Sequence, residues 1–385
     1  MDKLSQQELI RYSRHLVLDE FGIENQLKLK NSRVLVVGAG GLGSPALLYL
    51  AAAGIGKIGI VDFDTVAISN LQRQIIFTTD DVGKNKAEAA AERLKALNPF
   101  IETKSYNLKI ISTNALELLT DYDVVLDGTD NFPTRYLLND ACVILGKPLV
   151  YGSILKFEGH VSVFNFQKPD HTFSANYRDL FPQPPASESV PNCEQAGVLG
   201  VLPGTIGSLM ANEVIKLITG IGKPLANKLL IFDSLDAEFT TISYSNRNAI
   251  GSIKSLIDYE DFCGISQNKN KYLGTKQNNA MREITVQELK KLKDAGADFQ
   301  LIDVREPHEY DICNLDGELI PMAEIPSSTD KISRDKQVII HCRSGKRSGE
   351  MLLWLEKNEG YENLYNLKGG VLAWAKEIDP EMPVY

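Results

Sequence analysis

A glycine-rich turn followed by separated charged residues is the part of this chain best suited to chemistry. Gly38, Gly40, Gly41 and Gly43 lie in Gly-Ala-Gly-Gly-Leu-Gly, between the apolar run Val34–Val37 and an apolar helical pattern at Ser44–Ala53. Glycines there let the backbone approach a phosphate or ribose at the positive end of a helix. Asp62 comes 24 residues after Gly38, at the end of the next expected strand, where a carboxylate accepts ribose hydroxyls. Dehydrogenases use nearly the same arrangement. Two cations separate the classes. Arg73 closes Ser69-Asn70-Leu-Gln-Arg, and Lys86 falls in the first turn of an expected helix. A lysine there opposes the helix dipole at a cost of roughly 0.3–1 kcal/mol, and a bound triphosphate reverses that sign. The pattern therefore points to adenylation rather than hydride transfer. Asp130 follows the apolar strand Val124–Asp127. It is a candidate magnesium ligand beside phosphates, or the N-cap of a helix spanning Asn131–Leu145.

Sulfur supplies the second set. Cys342 ends an apolar strand in Val338-Ile-Ile-His-Cys-Arg-Ser-Gly-Lys-Arg-Ser, with Arg343, Lys346 and Arg347 close by and a helix expected from about Ser348. Such a loop can aim backbone N–H groups, a helix dipole and guanidinium groups at one sulfur, which stabilises a thiolate or persulfide. Cys193 follows a proline-rich stretch, and sequence leaves an active and an inert role open for it. Cys142 and Cys263 read as ordinary buried residues, and nothing around Cys313 would activate it. The five cysteines form no Cys-x-x-Cys pair, which fits reduced thiols in a cytoplasmic protein.

The elements that must position these groups follow from periodicity. A capping box, Ser5 with Glu8, opens a short helix carrying Arg11 and Arg14. Strands at Val34–Val37, Ile58–Asp62, Val124–Asp127 and Leu149–Ser153 alternate with helices at Ser44–Ala53, Asn85–Leu97 and Asn131–Leu145. That alternation predicts a Rossmann-like, mostly parallel α/β sheet. Alternating runs near Val161, Leu229 and Phe239 extend it with antiparallel strands, and Gly204–Thr219 reads as a helix. Asp170–Gln195, rich in proline, serine and charge, reads as a mobile loop. These elements fill a first domain, residues 1–250. A flexible linker, 251–282, contains a polar stretch from Gly264 to Ala280 with almost nothing to bury. A smaller α/β domain follows at 283–385, and both tryptophans, Trp354 and Trp374, belong to it.

Composition excludes several classes. The 385 residues carry a formal net charge of −9, which argues against nucleic-acid binding. No signal peptide is expected at the N-terminus. Val34–Gly56 is uncharged over a length that could span a membrane, but six glycines and Pro45 divide it into strand, turn and helix. No membrane association is expected.

Taken in order, Gly38–Gly43, Asp62-Phe-Asp, Ser69-Asn-Leu-Gln-Arg-Gln, Gly83-Lys-Asn-Lys and Asp127-Gly-Thr-Asp-Asn resemble the MoeB/ThiF family over residues 5–245. These are ubiquitin-activating-like adenylyltransferases of sulfur-carrier proteins, and the likeness is greatest to the molybdopterin-synthase branch. The resemblance implies that Gly41, Asp62, Ser69, Asn70, Arg73, Lys86, Asp130 and Asn131 line an ATP site, with magnesium on Asp130. It implies a homodimer in which Arg14 reaches the partner protomer's phosphates, and a carrier ending in Gly-Gly as substrate. It also places at Cys193 a cysteine able to join the carrier covalently. Many relatives bind structural zinc through two Cys-x-x-Cys pairs. Here Ser174-Ala-Asn-Tyr and Ser243-Tyr-Ser-Asn stand near those positions, so no structural zinc is expected.

Residues 283–385 are similar to a rhodanese domain, through Leu301-Ile-Asp-Val-Arg-Glu-Pro-His-Glu-Tyr, the Cys342–Arg347 loop and Leu367-Lys-Gly-Gly-Val-Leu-Ala-Trp. That likeness implies sulfane sulfur carried on Cys342, loaded by a donor such as a cysteine desulfurase or thiosulfate. Asp303 and Arg305 read as a structural ion pair. The alternatives are the same chemistry on a thiamine-pathway or tRNA-thiolation carrier, an NAD-dependent oxidoreductase, and a non-catalytic scaffold for a ubiquitin-like protein.

Overall fold

The computed structural model describes residues 3–185, 197–246, 253–264 and 281–383. The chain divides into two compact units, Met1–Gly274 and Thr275–Tyr385.

The first unit is built on an eight-stranded sheet. Its strands are β1 (Arg33–Val37), β2 (Lys57–Val61), β3 (Glu102–Tyr106), β4 (Val124–Asp127), β5 (Leu149–Leu155), β6 (Glu158–Phe164), β7 (Lys228–Asp233) and β8 (Glu238–Ser243). The order across the sheet is β3-β2-β1-β4-β5-β6-β7-β8. Pairs from β3 to β5 are parallel, and those from β5 to β8 are antiparallel. The alternation in β1 explains why both faces are covered. Val34 and Val36 join one apolar cluster with Leu47 and Leu50 of helix Gly43–Ala53 and Ile206 and Met210 of helix Leu202–Thr219. Leu35 and Val37 join another with Leu119, Leu137 and Leu138. A parallel sheet buried on both sides needs continuous apolar strands, and β1, β2 and β4 supply them, while β3 is a polar edge strand.

Two stretches depart from the expected organisation. Part of the proline-rich loop is not loose: Ser174, Ala175, Asn176, Tyr177 and Asp179 are buried, and Tyr177–Leu180 forms a short helix capped by Asn176. Tyr177 stacks edge-on against Tyr136, with ring centroids 5.0 Å apart. Aromatic burial outweighs the polar local composition there. Residues 186–196, including Cys193, lie outside the described residues.

The first unit also extends past residue 250, where its end was expected. Residues 253–264 belong to the first unit, with a helical turn at Tyr259–Phe262. Asp140 explains why. It accepts two hydrogen bonds from Arg178, each 2.8 Å, and a third of 2.8 Å from the Tyr259 hydroxyl. The Arg178 guanidinium lies 4.6 Å from the Phe262 ring centre. A buried carboxylate needs several donors, and this one gathers them from two segments distant from its own helix. The polar stretch 265–280 lies outside the described residues.

The segments discussed for zinc are held by ordinary hydrogen bonds. Ser174 Oγ accepts from the Phe166 amide at 2.9 Å, and the Tyr244 and Ser162 hydroxyls are 2.6 Å apart. Among the described residues, no group of three His, Cys, Asp or Glu side chains is placed to hold a metal ion. Among the same residues, no helix is long and apolar enough to cross a membrane.

The second unit is a five-stranded sheet of β9 (Glu283–Ile284), β10 (Phe299–Asp303), β11 (Glu318–Leu319), β12 (Gln337–His341) and β13 (Leu364–Leu367), in the order β11-β10-β12-β13-β9. All its pairs are parallel. Ile302, Ile340 and Leu352 pack on one face, and Leu301, Ile339 and Trp374 on the other. Asp303 and Arg305 form a fully buried ion pair of 2.6 Å. Arg305 also donates to the Cys313 carbonyl at 2.7 Å. The pair is therefore structural, as the sequence implied.

Candidate active site

The first unit holds a cleft of about 830 Å³ at the carboxyl ends of the parallel strands. It opens where β1 and β4 lie side by side while their connections lead to opposite sides of the sheet, the position at which such sheets bind ligands. Gly38, Gly40, Gly41, Asp62, Arg73, Lys86, Asp130 and Asn131 all line it. The sequence thus names residues spread over 94 positions that the fold brings to one concavity.

The glycine turn is required sterically. Gly38 has φ +92°, and a Cβ there would lie 2.8 Å from the Gly128 carbonyl oxygen. The loops after β1 and β4 therefore touch, backbone against backbone. Gly43 serves packing rather than binding: its Cβ would lie 1.9 Å from the Gly38 oxygen, and the residue does not line the cleft. Asp62 braces the same turn. Its carboxylate accepts from the Ala39 amide at 2.8 Å and the Asp64 amide at 2.9 Å. Burial pushes its pKa up, and these two N–H groups partly counter that. Each oxygen keeps a free lone pair for a hydroxyl donor.

Lys86 begins the helix Lys86–Leu97, with Asn85 as N-cap. It is only 7% exposed, and its ammonium lies 3.2 Å from Asp64. Arg73 is held by a 3.0 Å bond to the Ser69 carbonyl. Ser69 and Asn70 do not line the cleft; they form the turn Ile68–Asn70 that carries Arg73 toward it. Helix Phe132–Leu145 is capped by the Asn131 side chain, which accepts from the Thr134 amide at 3.0 Å. The cap is therefore not Asp130, whose carboxylate is exposed at the cleft. Magnesium usually takes one or two protein carboxylates together with water and substrate phosphates, so a single carboxylate at this position fits it. Arg14 is exposed and does not line the cleft of its own chain.

The sequence reading missed several lining residues. Asp64 alternates with Asp62 just past a strand end. Arg135 is one helical turn after Asn131, is 8% exposed, and donates to the Thr129 carbonyl at 3.2 Å. Both were findable from spacing. Residues 108–113 and 256–260 line the cleft as well, and no local signal marks them.

In the second unit, Cys342 follows β12 and is 1% exposed. The next helix spans Lys346–Glu359, starting two residues earlier than expected. Gly345 allows this by capping it with φ +85°. Arg347 is consequently a first-turn residue, and its guanidinium binds both oxygens of Glu309 at 2.6 and 2.7 Å. The group expected behind the sulfur is thus engaged with a carboxylate. Ser348 supplies a polar contact instead. Its hydroxyl lies 3.4 Å from Cys342 Sγ and 2.7 Å from Asn366 Oδ1. It has one proton to donate, so it can serve the sulfur only by turning from the amide. Cys142 and Cys263 are buried without such contacts, and burial pushes both thiols up, Cys263 to about 11.

His341 precedes Cys342 and is fully buried. Burial lowers its pKa to about 4. The unfolded chain takes up a proton near pH 6.5. Stability is therefore complete above that pH and falls as pH drops toward 4, by roughly 3 kcal/mol in all. Urea unfolding followed by tryptophan fluorescence reads this unit, because both tryptophans lie in it. His341→Leu should flatten the loss between pH 6.5 and 4.5. An unchanged slope would assign the acid sensitivity to other groups.

Fold and site together define a nucleotide-binding α/β enzyme joined to a small unit carrying a cysteine at a strand–helix loop. The ThiF family matches residues 12–251, and a rhodanese-like domain matches residues 285–377. The chain belongs to the ThiF family and carries a C-terminal rhodanese domain. It is 46% identical over 385 residues to the probable adenylyltransferase/sulfurtransferase MoeZ of Mycobacterium tuberculosis, covering 99% of this chain and 96% of that one. It is 41% identical over 403 residues to the adenylyltransferase and sulfurtransferase MOCS3 of Aedes aegypti, covering 100% and 91%. Among solved structures, that of E. coli MccB with ATP superposes with a TM-score of 0.53 at 26% identity, over 61% of this chain and 72% of that one. The protein is accordingly an enzyme of the adenylyltransferase and sulfurtransferase class, and its family implies use of ATP.

Proposed function

We propose that the enzyme adenylates the C-terminal Gly-Gly carboxylate of a ubiquitin-like sulfur carrier, of the molybdopterin-synthase small-subunit type, and then converts it to a thiocarboxylate. The carboxylate oxygen attacks the α-phosphorus of ATP, the bond to the bridging oxygen breaks, and pyrophosphate leaves. Arg73 and Lys86 offset the charge that develops, the glycine turn and Asp62 hold the nucleotide, and Asp130 binds magnesium, which neutralises phosphate charge. Such catalysis is positioning and electrostatics. Arg14 completes the site from the partner protomer of a homodimer.

Sulfur then comes from Cys342, loaded as a persulfide by a cysteine desulfurase or by thiosulfate. Its terminal sulfur attacks the acyl carbon, AMP leaves, and an acyl disulfide forms. A thiolate, with Cys193 as the candidate, attacks the Cys342 sulfur and releases the thiocarboxylate. The resulting disulfide is reduced by an external thiol. The observation that carries this reading is the presence, in one chain, of a cleft with Arg73, Lys86 and Asp130 and of Cys342 in a rhodanese-like unit. The bifunctional names of the MoeZ and MOCS3 relatives support it, as does ATP in the MccB structure. The test is ATP–pyrophosphate exchange with purified carriers. Exchange should require a carrier with an intact Gly-Gly end. Exchange without any carrier, or none with any carrier, would count against the reading.

A further inference from the structure

Residues 253–264 do more than end the first unit. Leu256, Ile257, Asp258, Tyr259 and Glu260 line the cleft together with the loop 108–113. The two segments are joined across it: Ser112 Oγ donates to the Ile257 carbonyl at 2.5 Å, and Lys109 pairs with Glu260 at 2.7 Å. Tyr259, tied to Asp140, holds the segment from beneath. Ile111 and Ile257 face this space while still 44% and 41% exposed. Apolar side chains left open inside a concave site are prepared to cover a flat apolar ligand. The location fits one ligand part. The loop 108–113 follows β3, which stands two strands from β1 and its glycine turn. Two strand spacings are about 10 Å, comparable to the reach of a nucleotide from phosphate to base.

We propose that the segment 253–264 forms the base-binding wall of the nucleotide cleft, with Ile257 and Ile111 covering the adenine. The inference rests on the ATP reading above. It makes the start of the polypeptide joining the two units part of the nucleotide site.

The test is calorimetric binding of Mg-ATP and of inorganic tripolyphosphate to the full-length protein. Ile257→Asp should weaken Mg-ATP about 10- to 100-fold, the range for a lost apolar pocket contact, and leave tripolyphosphate affinity unchanged. Ile111→Asp should behave alike. Leu235→Asp, at a residue 68% exposed and outside the cleft, should alter neither. Unchanged Mg-ATP affinity in Ile257→Asp, or equal weakening of both ligands, would overturn the inference. Failure of the wild-type protein to bind Mg-ATP would instead overturn the functional reading beneath it.

Discussion

Replacing Cys342 with alanine is expected to abolish thiocarboxylate formation while leaving carrier-dependent ATP–pyrophosphate exchange within about twofold of wild type. The adenylation chemistry needs no protein nucleophile, and Cys342 lies in the separate unit Thr275–Tyr385. Its removal also has a small structural cost. The side chain is buried among Ile302, Ile340 and Leu352, and losing one sulfur from such a site costs about 1–2 kcal/mol by analogy with other core truncations. Circular dichroism would show the variant folded. Ser348→Ala should slow sulfur transfer without abolishing it, because the hydroxyl assists the sulfur but does not replace it. Loss of exchange in Cys342→Ala would mean that the two reactions are not divided between the units as argued.

The second large effect is expected at Arg73. Arg73→Ala should lower the exchange rate by about 10²–10³-fold, the usual cost of removing one preorganised donor to developing charge. Retained activity would mean that Lys86 and Arg135 suffice for the phosphates. Arg14→Ala should be comparably impaired if the partner protomer supplies it. Mixing the two inactive variants should then restore part of the activity, since a mixed dimer contains one intact site. No recovery, with subunit exchange demonstrated, would count against the contribution in trans.

Different parts of this account were legible in the sequence for different reasons. The parallel half of the sheet was readable because β1, β2 and β4 are short apolar runs followed by turns. The cleft-lining residues Gly38, Asp62 and Asp130 were readable because they closely follow strand ends, and Lys86 because it opens a helix. Ser69 and Asn70 were assigned to the cleft but shape the turn beneath Arg73, a distinction that depends on how the loop folds back. Gly43 looked like a phosphate-contacting glycine, but its missing side chain makes room for the Gly38 carbonyl. Residues 253–264 were placed in the linker although Ile253, Leu256, Ile257, Tyr259 and Phe262 give them apolar character, because no regular periodicity ties them to the sheet. Their position is set by Asp140, Arg178 and Tyr259, which lie far apart in sequence. Arg347 was misread because its partner, Glu309, sits in a different helix, 38 positions away.

The most direct test of the central claim is intact mass spectrometry of candidate Gly-Gly-terminated carriers after incubation with the full-length protein, ATP, magnesium, thiosulfate and a reductant. The account predicts that one carrier gains the mass difference of a single oxygen-to-sulfur exchange, only when ATP is present and not with Cys342→Ala. A carrier that is adenylated but never exchanges oxygen for sulfur, under conditions where Cys342 carries a persulfide, would contradict it.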